Sequence, residues 1–126
     1  MTVHDGSVLV VDAANVIGSR PDGWWKDRPG AAARLCRALT NADLPYELVV
    51  VVLEGRARAG VPEGERGAFR VVHASGSGDD LVVQICEEYA GAEVTLATAD
   101  RGLIARVQPF GVDLMGPRTL RDLVGA

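Results

Sequence analysis

The chain of 126 residues is poor in the side chains from which metal fingers and disulfide frameworks are built: it has two cysteines and two histidines. No Cys/His spacing describes a zinc site. Cys36 and Cys86 lie far apart, each within an apolar-periodic segment, which predicts buried, reduced thiols. Long hydrophobic runs are also missing. None approaches the roughly 20 residues a bilayer-crossing helix needs, so no membrane partner is expected. The segment Met1 to Ser7 is polar and lacks the plan of a secretory signal, making a cytoplasmic location the expectation. Positive charge is scarce: 13 Lys and Arg face 17 Asp and Glu, giving a net charge of −4. A general nucleic-acid coat protein would be basic. An enzyme with an acidic site and a local basic rim is still compatible with that balance. No Gly-x-Gly-x-x-Gly follows the first apolar run, which argues against a dinucleotide-binding domain.

What is present suits one domain, residues 1–126, with nearly half its residues apolar (48%). Five apolar runs have strand character: Val8 to Val11, Glu47 to Leu53, Phe69 to His73, Glu93 to Thr98 and Val112 to Met115. They are short, continuous and rich in β-branched residues, as strands buried on both faces are. Helical spacing lies between them. Ala32, Leu35, Cys36 and Leu39 share one face of Ala31 to Leu39. Val82, Val83, Cys86 and Tyr89 share one face of Asp79 to Tyr89. Arg101 to Val107 aligns Leu103, Ile104 and Val107, and a last short helix is expected from Thr119 to Leu123. This alternation predicts an α/β fold, a parallel sheet with helices on both faces. The Gly-, Arg- and Glu-rich connection from Glu54 to Ala68 reads as an ordered loop with one helical turn or as a mobile lid.

The acids fall in a pattern. Asp12 follows the first strand, Glu54 the second and Asp100 the fourth, while Asp79 and Asp80 open a helix after Gly76-Ser-Gly. In an open parallel sheet the carboxyl ends of the strands share one edge, where ligands bind. The expectation is that these five acids converge there. Carboxylates in one place repel and raise each other's pKa, and a hard divalent cation relieves that repulsion. Oxygen-only donors favour Mg²⁺ or Mn²⁺, and such ions support phosphodiester hydrolysis. Taken singly, each Asp is also an ordinary helix N-cap. Asn15, one turn beyond Asp12, is placed to hydrogen-bond Asp12 or a substrate, or to serve a turn.

At these residues the chain resembles the NYN branch of the PIN-like nucleases, near its YacP-like relatives. Val11-Asp12-Ala13-Ala14-Asn15-Val16-Ile17-Gly18 resembles the strand-one signature "VDGxNVI". Ser77-Gly78-Asp79-Asp80-Leu81-Val82-Val83 resembles the acid-bearing helix start. Thr98-Ala99-Asp100-Arg101-Gly102-Leu103 resembles the "(T/S)-x-D-R" segment. The resemblance spans almost the whole chain, in order. It implies a three-layer αβα fold of PIN-like type, with a parallel five-stranded sheet in the order 3-2-1-4-5. It also implies a Mg²⁺ or Mn²⁺ centre, RNA as substrate and a metal-dependent, endonucleolytic ribonuclease activity. Asp12, Asp79 and Asp100 would be the metal carboxylates and Asn15 a site partner, with Asp80 able to take the role of Asp79. Glu54 stands where relatives often show Asp, and would hold metal through water or depart from the pattern. The resemblance admits a homodimer, for which the sequence offers no face.

Cations cluster locally at Arg20, Lys26, Arg28, Arg34 and Arg37, and again at Arg56, Arg58, Arg66 and Arg70. Each serves a solvated surface or a substrate path. Arg20, Trp24, Trp25, Lys26 and Arg28 form a segment just past the first acid whose tryptophans and cations suit base stacking and phosphate contact, one tryptophan being expected on the core. Arg101 would reach a phosphate or pair with a carboxylate. The Ser75-Gly-Ser-Gly78 turn, with Ser77, offers backbone amides to phosphate or is a plain turn. His73 is expected to be structural. Two other functions remain open on sequence: a nucleotide phosphohydrolase or pyrophosphohydrolase using the same metal site, and a catalytically degenerate RNA-binding or adaptor domain. An aspartyl-phosphatase pattern is missing, because Ala13 and Ala14 follow Asp12 where a second Asp would be required.

Overall fold

The computed structural model describes residues 6–126; His4 and the rest of the polar residues 1–5 lie outside the described residues. The chain runs β1 (Ser7–Asp12), α1 (Ala13–Gly18), α2 (Arg28–Asn41), β2 (Leu48–Leu53), β3 (Gly64–Arg66), β4 (Phe69–His73), α3 (Gly78–Glu88), β5 (Glu93–Ala97), α4 (Arg101–Val107), β6 (Asp113–Met115) and α5 (Pro117–Val124). The sheet order is β3-β4-β2-β1-β5-β6. Every neighbouring pair is parallel except β3 with β4, which is antiparallel.

The expectation of a five-stranded, wholly parallel sheet is therefore corrected to a mixed sheet of six strands. The extra strand comes from the Glu54–Ala68 connection. Its three residues, Gly64–Arg66, are all exposed and carry no apolar signal. They pair because the chain doubles back through Gly67, whose φ of 58° suits glycine, onto the outer edge of β4. The same connection holds a 3-10 segment, Gly55–Gly60. That segment packs so closely on the start of α2 that a Cβ at Gly60 would overlap the Pro29 backbone.

The strands alternate between two cores, the period-two geometry of a sheet covered on both sides. Leu9, Val11, Val49, Val51 and Leu53 face α1, α2 and α5. Val8, Val10, Val50, Val52 and Leu96 face α3 and α4. Each such fully buried aliphatic side chain contributes about 1.5–3 kcal/mol. The helices start where the sequence offers caps. The Asp27 carboxylate accepts from the Gly30 amide at 3.0 Å, with Pro29 in the first turn of α2. Cys36 and Cys86 are buried free thiols, one in each core, and burial pushes both up to about 11. Among the described residues no helix is long and apolar enough to cross a membrane.

Candidate active site

Strand register sets the geometry of the acid edge. Asp12 lies level with Val52 of β2, and Val11 with Ala97 of β5. Thr98 is therefore level with Asp12, whereas Glu54 and Asp100 each lie two residues farther out, on opposite sides of it. At about 3.3 Å per extended residue that is about 7 Å along the strand direction.

Asp12 is the buried acid of the set, 5% exposed at the end of the central strand. Its Oδ2 accepts from the Thr98 hydroxyl at 2.8 Å, and its Oδ1 from the Asn15 amide at 3.5 Å, which also caps α1. Burial raises its pKa above the ordinary carboxylate value; the two hydrogen bonds oppose this, and the charges of Asp79 and Glu54 push it further up. Asp79 and Glu54 are thus near enough to Asp12 to be felt.

The β1–β5 side is knitted together. The Asn15 Oδ1 accepts from the Ala99 amide at 2.8 Å, tying α1 to the segment after β5. Thr98 Oγ1 accepts from the Asp100 amide at 3.2 Å, and Asp100 Oδ1 caps α4 by accepting from Leu103 N at 3.1 Å. The hydroxyl of Thr98, the first residue of the (T/S)-x-D-R segment, thus links Asp12 to the turn that carries Asp100.

On the β2 side, Glu54 leans over the start of α3: a Cβ at Gly78 would sit 2.6 Å from its Oε1. Only a glycine lets the glutamate lie there. Ser77 is the N-cap of α3 and accepts from the Asp79 amide at 3.2 Å. Within the Asp79-Asp80 pair, Asp79 is half-buried and its charge is felt at Asp12, while exposed Asp80 pairs with Arg106 of α4 at 2.9 Å.

The five acids therefore share an edge without forming one knot. Among the described residues no three His, Cys, Asp or Glu side chains make a group that could hold a metal ion as they stand. Glu54 and Asp100 stand staggered about Asp12, and Asp80 is drawn to Arg106.

Arg101 is exposed at the first turn of α4, beside Asp100. Trp24 packs against the core under α1 and α2, with Arg28 over its ring at 5.2 Å and Trp25 edge-on at 5.8 Å. Trp25 is the exposed one, at 50%. Ala14, Ile17, Trp24, Arg28, Glu54 and Ala57 line a cavity of about 170 Å³ that joins the tryptophan segment to the acid edge. Lys26 and Arg20 are exposed. His73 is tied to the β2–β4 connection, its Nε2 2.8 Å from the Val61 carbonyl oxygen and its amide donating to Glu63.

Arg121, which the sequence reading passed over, is 7% exposed. Its guanidinium donates to the Val16 carbonyl, the Ser19 hydroxyl and the Ile17 carbonyl at 2.9–3.0 Å. It closes the C-terminal end of α1, the helix that bears Asn15. Burial lowers its pKa and the Arg20 charge adds to that, while Asp22 opposes it. Its only sequence signal was a cation at helical spacing from Pro117 and Val124.

No protein-family profile matches the chain, and no curated protein matches it. Solved structures do. Two crystal structures of Rae1 (YacP) from Bacillus subtilis, one of them a point mutant, superpose with TM-scores of 0.69 and 0.68 at 16% identity. The superposition covers 94% of this chain and 73% and 75% of those chains. The chain has a YacP-like α/β fold.

Proposed function

We propose that this chain is a Mg²⁺- or Mn²⁺-dependent ribonuclease that cleaves RNA endonucleolytically at the carboxyl edge of its sheet. The observation that carries the reading is Asp12: a carboxylate buried at the end of the central strand, its pKa raised by burial and by the like charges of Asp79 and Glu54. A protein that keeps repelling carboxylates around a buried one gives up stability unless a cation is recruited there. The donor set is all oxygen, which fits Mg²⁺ or Mn²⁺. Mg²⁺ keeps several waters and uses one or two carboxylates plus substrate phosphates, so a prebuilt group of three ligands is not required. Asp12 and Asp79 would hold the ion, with Glu54 and Asp100 reaching it through water. When bound, the ion supplies an activated water and neutralises charge on the phosphate.

The remaining roles belong to the chain's own residues. Asn15 spends its carbonyl oxygen on Ala99, which leaves its NH₂ to donate to a phosphate oxygen. Arg101, exposed beside Asp100, offers a charge-assisted bond to the next phosphate. Thr98 holds the Asp12 carboxylate in one orientation. The motif resemblance and the YacP-like fold support the reading.

The dispersed acids give weight to a second reading, an RNA-binding or adaptor domain with a degenerate site. The same edge would also serve a nucleotide phosphohydrolase. One set of assays separates the three: cleavage of labelled RNA oligomers, and release of phosphate or pyrophosphate from nucleotides, each with Mn²⁺ or with excess EDTA. RNA cleavage that stops in EDTA and in Asp12→Asn is expected. Nucleotide hydrolysis without RNA cleavage, or RNA binding with neither activity, replaces it with the corresponding alternative.

A further inference from the structure

A cleft roomier than the cavity beside Glu54 lies away from the acid edge. It lies between α2, the end of α1 and α5, encloses about 570 Å³, and is lined on its polar side by Arg20, Arg34 and Arg37, with Asp22 and Asp43. All three arginines are exposed. Among the described residues the ion pairs are Arg70–Glu88 and Arg106–Asp80, so none of the three is spent on a carboxylate. A chain of net charge −4 has gathered three uncommitted guanidiniums into one concavity. Arg34 and Arg37 are one helical turn apart and so project from the same face of α2.

The cleft adjoins the cavity that reaches the acid edge at Glu54. Ile17 and Trp24 line both it and the smaller cavity that contains Glu54. A chain leaving Asp12 and Glu54 would pass Trp24, with Arg28 on its ring, and enter the arginine cleft.

Building on the ribonuclease reading, we infer that this cleft seats the sugar-phosphate backbone of the RNA strand several nucleotides from the cleaved bond, with Arg34 and Arg37 of α2 and Arg20 as its phosphate contacts. Guanidinium forks bind phosphate oxygens in pairs, and the arginines of the cleft outnumber its Asp22 and Asp43 side chains, a balance that favours a polyanion. The consequence is an enzyme that engages long single strands better than short ones, because short substrates end before the cleft.

The test uses the full chain carrying Asp12→Asn, so that substrate survives, and compares it with the same chain carrying also Arg34→Glu and Arg37→Glu. Both positions are solvent-exposed, and thermal melting checks that the fold is kept. Arg20 is left in place because its charge acts on buried Arg121. Fluorescence anisotropy measures Kd for labelled single-stranded RNA of three and of twelve nucleotides at several salt concentrations. The arginine-containing form should gain at least about tenfold in affinity on lengthening the RNA, and the double substitution should abolish that gain. The slope of log K against log salt should fall by about 1.4, two phosphate contacts at about 0.7 each. Arg34→Lys with Arg37→Lys should restore most of the slope. The inference is overturned if the glutamate variant keeps the length-dependent gain and the salt slope, or if the parent chain does not bind the twelve-nucleotide RNA. Arginine-dependent binding by a wild-type chain that cleaves no RNA would keep the cleft and remove the ribonuclease.

Discussion

The two flanks of Asp12 are built differently. On the β5 flank, Thr98, Asn15, Ala99 and Asp100 are joined by hydrogen bonds of 2.8–3.2 Å that cross from β1 and α1 to the turn before α4. On the β2 flank, among the described residues, the Glu54 side chain makes no hydrogen bond or ion pair and merely lies against Gly78. One flank is locked, the other is set by shape and charge. The locked flank orients the buried carboxylate; the open flank leaves the Glu54 carboxylate unpaired among the described residues. Position in the sheet accounts for the contrast: Thr98 is level with Asp12 on an adjacent strand, whereas Glu54 lies two residues beyond.

The substitution that breaks this comparison at its centre is Asp12→Asn. RNA cleavage should fall by about a thousandfold, roughly 4 kcal/mol of barrier, in a single-turnover assay. In EDTA the same change should not destabilise the fold at neutral pH. Burial makes the folded chain bind the Asp12 proton more tightly than the unfolded chain does. The wild type should therefore lose stability relative to Asp12→Asn as pH rises from about 3.8, the ordinary value, through the raised folded value. Urea titrations from acid to neutral pH read the gap. Saturating Mn²⁺ should reverse it, stabilising the wild type by about 2.7 kcal/mol at a hundred times the dissociation constant.

Next in size is Arg121→Met, which probes the support beneath the locked flank. It removes charge-assisted bonds to two carbonyls and a hydroxyl at the end of α1. About 3 kcal/mol of stability should be lost, seen as a lower urea midpoint with an unchanged m-value. Thr98→Val tests the lock itself. It keeps the shape but withdraws the hydroxyl from a buried carboxylate, so about 2 kcal/mol should be lost at neutral pH. The Asp12 pKa should climb further, which NMR titration of the carboxyl carbon would show.

The smallest expected effect sharpens the assignment of neighbours. Asp80 and Arg106 form a pair whose side chains are 79% and 47% exposed. Asp80→Asn should change stability by less than about 1 kcal/mol and leave cleavage within about twofold, while Asp79→Asn should lose cleavage strongly. Equal losses in both variants would erase the distinction between them.

Much of this was legible in the residues. The aliphatic runs of β1, β2, β4 and β5 can hardly be anything but doubly buried strands, and Leu35, Cys36 and Leu39 mark the inner face of α2. The strand Gly64–Arg66 was not legible, because an exposed edge strand of three residues needs no apolar pattern and exists only through its partner β4. Helix α1 escaped for a related reason: six residues give too short a period to read, and its end is closed by Arg121, a residue 105 positions away from Val16. Trp24 and Trp25 are identical in type and adjacent, so which one packs on the core is decided only by the 3-10 turn that carries them.

By itself the sequence determined which residues are apolar, where the period is two and where it is 3.6, and that acids end three of the strands. Those are local properties, written in side-chain chemistry and spacing. Only the tertiary structure decided that Asp12 is the buried acid, that the charge of Asp79 reaches it while Asp80 pairs with Arg106, and that Glu54 and Asp100 stand staggered to either side. Strand register and helix phase make those choices, and both are fixed by packing between segments that are distant along the chain.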